Sequence, residues 1–234
     1  MSGDGTSLRR EAWTAVASLE TEAVTTDNMA TKIVIFGATG NAGLAAVEQA
    51  VKLNLSVTAF VRDPAKLPAE LSSKVKVHTG DSLNRGDVEA AVKGQDAVVV
   101  VLGTHNDLKP QATMSGSLVN ILMSMKKLGV KRISCCASAM NFTERSEFAA
   151  GKYKIMINVY DDHNRMLELL EHSTSEWVAV LPGHINKNNQ VGCTVAHGKQ
   201  PGMGVNKHDL GHFMVTCFNN QENIKKRCGI ADKA

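Results

Sequence analysis

The chain has 234 residues, 43% of them hydrophobic and 4% aromatic, which suits one domain with a core of aliphatic side chains. A formal net charge of +3 makes no electrostatic case for nucleic acid or for an anionic membrane surface, and no apolar run reaches the roughly 18–20 residues of a membrane span. The five cysteines, Cys135, Cys136, Cys193, Cys217 and Cys228, are odd in number and show no metal-ligand spacing, so the expectation is free thiols, a reducing cytoplasmic compartment and no metal site.

Residues 1–28 set Arg9 and Arg10 against Asp4, Glu11, Glu20, Glu22 and Asp27, and they lack the apolar heart of a signal peptide. They are expected to form a mobile, disordered extension ahead of a single domain over 29–234; a docking or regulatory segment is the alternative. Apolar runs at 33–36, 57–61, 75–78, 97–102, 132–136 and 177–181 then read as strands. Most are continuous rather than alternating, as strands covered on both faces must be. Helical patterns lie between most of them. "AGLAAVEQAVKL" follows the first strand. "NRGDVEAAVKG" follows the third, with Asp87 early and Gly94 as a stop. "TMSGSLVNILMSMKKLG" follows the fourth and "DDHNRMLELLEH" the fifth. Further on, Asp209 reads as the N-cap of a helix that buries Leu210 and Phe213. Strand–helix alternation predicts an α/β fold, a doubly wound parallel sheet with helices on both faces.

The first strand stops at a glycine, and "GATGNAGL" carries Gly37, Gly40 and Gly43 at three-residue spacing into a helix. At this place in a doubly wound sheet the first glycine permits the turn. The second lets backbone approach a dinucleotide diphosphate, and the third lets the helix pack closely on the sheet. The helix amino terminus adds free N–H groups and the positive end of its dipole. After the second strand come Arg62 and Lys66, which suit a ribose 2′-phosphate and therefore NADPH, although Asp63 between them is able to bind a ribose hydroxyl. After the third, Asp81 faces the adenine amino group with Ser82 and Leu83 beside the ring. After the fourth, Gly103 and Thr104 pass beside the ribose and nicotinamide.

With these residues in view, the sequence resembles the biliverdin-IXβ reductase family, also called NADPH-dependent flavin reductases, within the atypical short-chain dehydrogenases. The resemblance is carried by "IFGATGNAGL", "VRDPAKLP", "GQDAVVVVLGTHNDL", "SAM", "DDHNRM", "PGHI" and "KHDLGHFM", from Lys32 to about Cys217. It implies a single-domain Rossmann fold, monomeric and cytosolic. It also implies NADPH as cofactor and a hydride passed to free flavins such as FMN and riboflavin or to linear tetrapyrroles. It places Gly37, Thr39, Gly40, Gly43, Arg62, Asp81, Gly103 and Thr104 at the cofactor, and Asn41, Lys66 and Ser82 beside them are expected to join it. It places Ser138, His163 and His184 at the acceptor; Ile185 and Met114 are expected beside them, and Ser138 and His184 are expected to be catalytic. Cys136 and Cys217 match cysteines for which S-nitroso transfer is described in the family. Residues 141–159 lack the family's aromatic and proline character, and His105 stands where arginine is common.

The tyrosine acid of ordinary short-chain dehydrogenases is missing. Arg165 stands at the place of the relay lysine, Asp161 lies four residues before it, and Tyr160 is one place off, on another side of the helix. Acceptors whose reduced form is a stabilised anion, or is protonated by solvent, fit such a site. An NADPH-binding redox sensor with little turnover fits it as well.

Overall fold

The chain is described by a computed structural model over residues 30–104, 107–110, 112–187 and 192–233. The expected extension over 1–28 and the departure at His105 lie outside the described residues. In chain order the described elements are β1 (Lys32–Phe36), α1 (Asn41–Lys52), β2 (Ser56–Val61), α2 (Ala69–Ser72), β3 (Lys76–Thr79), α3 (Arg85–Val92), β4 (Ala97–Val100), α4 (Thr113–Leu128) and β5 (Arg132–Cys136). There follow α5 (Arg145–Ala150), α6 (Ile157–Glu171), β6 (Glu176–Pro182), β7 (His184–Asn186), β8 (Cys193–His197), β9 (Gly204–Asn206), α7 (Lys207–Thr216) and β10 (Lys226–Asp232).

β4 is apolar at every position and β1 at every position after Lys32, because both sheet faces are covered there. Strand side chains alternate, so Ile33 and Ile35 of β1 enter one core while Val34 and Phe36 enter the other. β4 divides likewise, Ala97 and Val99 from Val98 and Val100. The first core packs against Ala46 and Val47 of α1 and Leu210 and Met214 of α7. The second packs against Val88 of α3, Leu118 and Ile121 of α4, and Met166 and Leu170 of α6. Adjacent Cys135 and Cys136 fall in opposite cores, as their spacing on one strand requires.

The eight-stranded sheet runs β3-β2-β1-β4-β5-β6-β10-β8. β1 pairs in parallel with both β2 and β4, Ile33 lying beside Val57 on one side and Ala97 on the other. The chain winds outward from β1 in one direction and then returns to continue from β4 in the other. That reversal is the topological switch point, and it opens a crevice at the carboxyl ends of the strands. The doubly wound α/β expectation holds, with a sheet that is mainly rather than wholly parallel. β10 joins β6 in parallel, but β8 closes the edge antiparallel to β10. β7 and β9 form a separate two-stranded sheet.

Two local expectations are corrected. α6 begins at Ile157 rather than at 161, a turn earlier. The N-cap of α7 is Asn206, whose side chain accepts from the His208 amide at 2.7 Å. Asp209 lies in the first turn, and its carboxylate accepts from the Gly192 amide at 3.0 Å.

Candidate cofactor and acceptor cleft

A cleft of about 530 Å³ lies at the switch point, floored by the loop between β1 and α1. Gly37 has φ of +83°, and a β-carbon there would sit 2.3 Å from the Val101 carbonyl oxygen. A β-carbon at Gly43 would sit 2.0 Å from the Gly37 carbonyl oxygen, so this glycine lets α1 pack on its own loop rather than on the sheet. Gly40 is different. Its nearest neighbour would be the Gly37 oxygen at 3.4 Å, an ordinary contact. Internal packing leaves room for a β-carbon at Gly40, which lines the cleft. Gly40 is also the N-cap of α1, with no side-chain cap bond and no acidic residue in the first turn. The orphan N–H groups of Asn41, Ala42 and Gly43 therefore suit an anion, and the loop fits a diphosphate.

Thr39, Asn41, Arg62, Asp81, Ser82, Gly103 and Thr104 all line this cleft, together with the three glycines. Arg62 stands exposed at the end of β2. The Asp63 carboxylate turns aside to accept from the Ala65 amide at 3.0 Å, capping the short 3-10 turn Pro64–Lys66. Lys66, in that turn, does not line the cleft. The 81–83 loop is pinned by its own Asx turn, in which Asp81 Oδ1 accepts from the Leu83 amide at 2.9 Å. It is also held by α4, from which Asn120 Nδ2 donates to the carbonyls of Ser82 and Leu83, both at 3.0 Å. Leu83 is thereby held half exposed at the cleft edge, an apolar surface for a flat ring.

The far end of the cleft is lined by Met114, Cys136, Ala137, Val159, His163 and Ile185. His163 Nδ1 is buried without a hydrogen-bond partner among the described residues. Burial pulls its pKa from the ordinary 6.5 down to about 4, although the neighbouring Asp162 charge opposes this, so the ring is neutral at pH 7. His163 lies in the second turn of α6, and Val159, which no sequence motif singles out, joins it at the cleft. The early start of α6 sets Val159 one turn before His163, on the same face.

The two residues expected to be catalytic do not line the cleft. Ser138 Oγ accepts from the Met140 amide at 3.3 Å and caps the 3-10 turn Ala139–Phe142. His184 and Ile185 are neighbours on β7, so strand alternation turns Ile185 inward and His184 outward. His184 is exposed and borders a shallow depression with Asn186 and Met203.

No tyrosine–lysine relay is assembled. The Tyr160 hydroxyl donates to the Thr143 carbonyl at 2.8 Å. Arg165 Nη2 donates to Asp162 Oδ1 at 3.1 Å, and Asp161 takes a bidentate fork from Arg145 at 2.7 and 2.8 Å. The thiol transfer implied by the resemblance meets a physical obstacle. Burial pushes the Cys136 thiol up to about 12 and holds Cys217 well above its ordinary range, so both stay protonated and weakly nucleophilic. Cys217 lies in the core, away from the cleft.

A family profile described as NAD(P)H-binding matches residues 37–221. The chain belongs to this NAD(P)H-binding family. Solved structures similar to this NAD(P)H-binding protein include an oxidoreductase from Lactococcus lactis, with 16% identity, a TM-score of 0.74, and coverage of 86% of this chain and 91% of that one. A short-chain dehydrogenase/reductase from Veillonella parvula in complex with NADP is 15% identical with a TM-score of 0.70, over 88% of this chain and 96% of that one. An anaerobillin reductase from Escherichia coli is 18% identical with a TM-score of 0.66, over 86% and 96%. At these identities the likeness is one of fold. Among the described residues no helix is long and apolar enough to cross a membrane, and no His, Cys, Asp and Glu side chains cluster as a metal site.

Proposed function

We propose that this NAD(P)H-binding protein is an NADPH-dependent reductase of flat conjugated acceptors: free flavins such as FMN and riboflavin, and linear tetrapyrroles of the biliverdin-IXβ type. The observation that carries the reading is the acceptor end of the cleft. Among its described lining residues there is no tyrosine, lysine or carboxylate, and the one titratable nitrogen heterocycle, His163, is neutral. A ketone or alcohol needs an acid or base at the reacting oxygen. A flavin or bilin spreads the incoming charge over its conjugated system and takes its proton from water.

NADPH, when bound, supplies the hydride at nicotinamide C4. The backbone of Gly37–Gly43 holds the diphosphate. Arg62 faces the 2′-phosphate, and the engagement of Asp63 with the Ala65 amide favours NADPH over NADH. Asp81, Ser82 and Leu83 receive the adenine, and Gly103 and Thr104 the ribose on the nicotinamide side. The Ile185 backbone orients the carboxamide. Met114 and Val159 offer an apolar wall on which a flat acceptor stacks over the nicotinamide, which is the proximity that hydride transfer needs. His163 presents its ring to an acceptor carbonyl without carrying charge. The resemblance to biliverdin-IXβ reductases supports the tetrapyrrole class, and the fold shared with an anaerobillin reductase is consistent with it. The protein acts as a cytoplasmic monomer in this reading.

The test is purified protein with NADPH and FMN, followed by loss of reduced-nicotinamide absorbance against a protein-free control. Steady turnover is expected. NADPH binding with no turnover on flavins, bilins or quinones would replace the reductase by a redox sensor.

A further inference from the structure

Asp162 is fully buried next to His163, yet it is not part of the cleft surface. Its carboxylate points across to α4. Oδ2 accepts from the Met114 amide at 3.1 Å, and Oδ1 accepts from the Ser115 amide at 3.3 Å and from Arg165 Nη2 at 3.1 Å. The helix it serves has no cap of its own, because Ala112 at the N-cap has no side-chain acceptor. The first-turn N–H groups of α4 are therefore satisfied by a carboxylate from another helix, at the end where the helix dipole favours negative charge. One turn earlier, Asn158 Nδ2 donates to the Leu108 carbonyl at 2.9 Å, just ahead of α4.

Asn158 and Asp162 are four residues apart and share one face of α6. Their immediate successors, Val159 and His163, share the adjoining face and line the cleft together with Met114. One helix thus grips the neighbouring wall with one stripe and forms its own wall with the next. We propose that Asp162, assisted by Asn158, is a positioning residue for the acceptor: by holding the start of α4 it fixes Met114 relative to Val159 and His163 at the acceptor end of the cleft. The proposal rests on the reading of this end as an acceptor site. The Gly37–Gly43 loop leads from β1 into α1, and no hydrogen bond among the described residues joins it to Asp162 or Asn158, so a loss of positioning separates acceptor from cofactor, whereas a loss of general stability does not.

The test is Asp162→Asn, which keeps the size and one carbonyl oxygen but loses the charge and an acceptor. Flavin KM is expected to rise and kcat/KM for flavin to fall by about tenfold or more, while NADPH affinity stays within about threefold. Equal losses for flavin and NADPH, or unchanged flavin kinetics, overturn the proposal. A second readout needs no turnover. Amide exchange at Met114 and Ser115 is expected to quicken about tenfold or more, with Ile121 and Met125 in the middle of α4 unchanged. Unchanged exchange at Met114 and Ser115 overturns the clamp. If the natural protein reduces no flavin or bilin, the reductase reading falls and the exchange data still decide the clamp. Should Asp162→Asn fail to fold, Asn158→Ala gives the same discrimination: a raised flavin KM at constant NADPH affinity supports the proposal, and parallel losses refute it.

Discussion

Replacing Arg62 by alanine separates the two coenzymes. The guanidinium lies at the end of β2 on the cleft rim, where the 2′-phosphate of NADPH would be and where NADH has only a hydroxyl. A hydrogen bond to a charged group contributes about 1.5–3 kcal/mol. Arg62 is exposed, so screening by salt favours the lower part of that range; about 2 kcal/mol corresponds to roughly a 30-fold change in Kd. Arg62→Ala is therefore expected to weaken NADPH roughly 30-fold and NADH less than about threefold. Titration calorimetry with both coenzymes at two ionic strengths measures this, and the preference of the natural protein for NADPH should shrink as salt rises. Asp63→Ala is the control. Its carboxylate is occupied by the Ala65 amide, so NADH affinity should barely move. Equal losses of NADPH and NADH in Arg62→Ala would remove this residue from the 2′-phosphate and take the NADPH preference with it.

Gly40→Val places a branched side chain where packing leaves room but a diphosphate would lie, so NADPH binding should be lost with little change in melting temperature; preserved affinity would refute the loop geometry. Gly43→Ala forces a β-carbon to within 2.0 Å of the Gly37 oxygen, and it should lower stability by about 1–3 kcal/mol in a thermal melt. Tyr160→Phe removes the bond to the Thr143 carbonyl and should cost about 1 kcal/mol in denaturant unfolding while leaving flavin turnover intact; loss of turnover would restore the tyrosine as an acid. His163 makes stability depend on pH. Between its unfolded value of 6.5 and its folded value of about 4, the unfolded chain binds a proton that the folded protein does not, so stability is lost as pH falls through this window. Urea unfolding from pH 7 to pH 4 should show that slope, and His163→Gln should flatten it.

Several features follow from the sequence alone. Continuous apolar runs at 33–36 and 97–102, alternating with helical patterns, read as strands covered on both faces, which calls for helices on either side and a parallel sheet. The glycine spacing at 37, 40 and 43 marks the first strand-to-helix turn, which the structure shows with a left-handed Gly37 and a helix end free of any side-chain cap. Arg62, expected at the ligand side by the same local reasoning, lines the cleft. Long-range pairing decided the rest. β10 carries Gly229 and charged ends, and nothing local shows that it fits between β6 and β8. Ser138 and His184 are expected at the acceptor from the family resemblance. One hydroxyl is spent on its own turn, and the parity of β7 sends the imidazole outward and Ile185 inward. Tyr160 and Asp162 found their partners, Thr143 and the start of α4, only when separate helices met. A side chain's chemical type is written at its own position, but whether its polar atoms remain available to a ligand depends on which distant groups the folded chain brings within hydrogen-bonding reach.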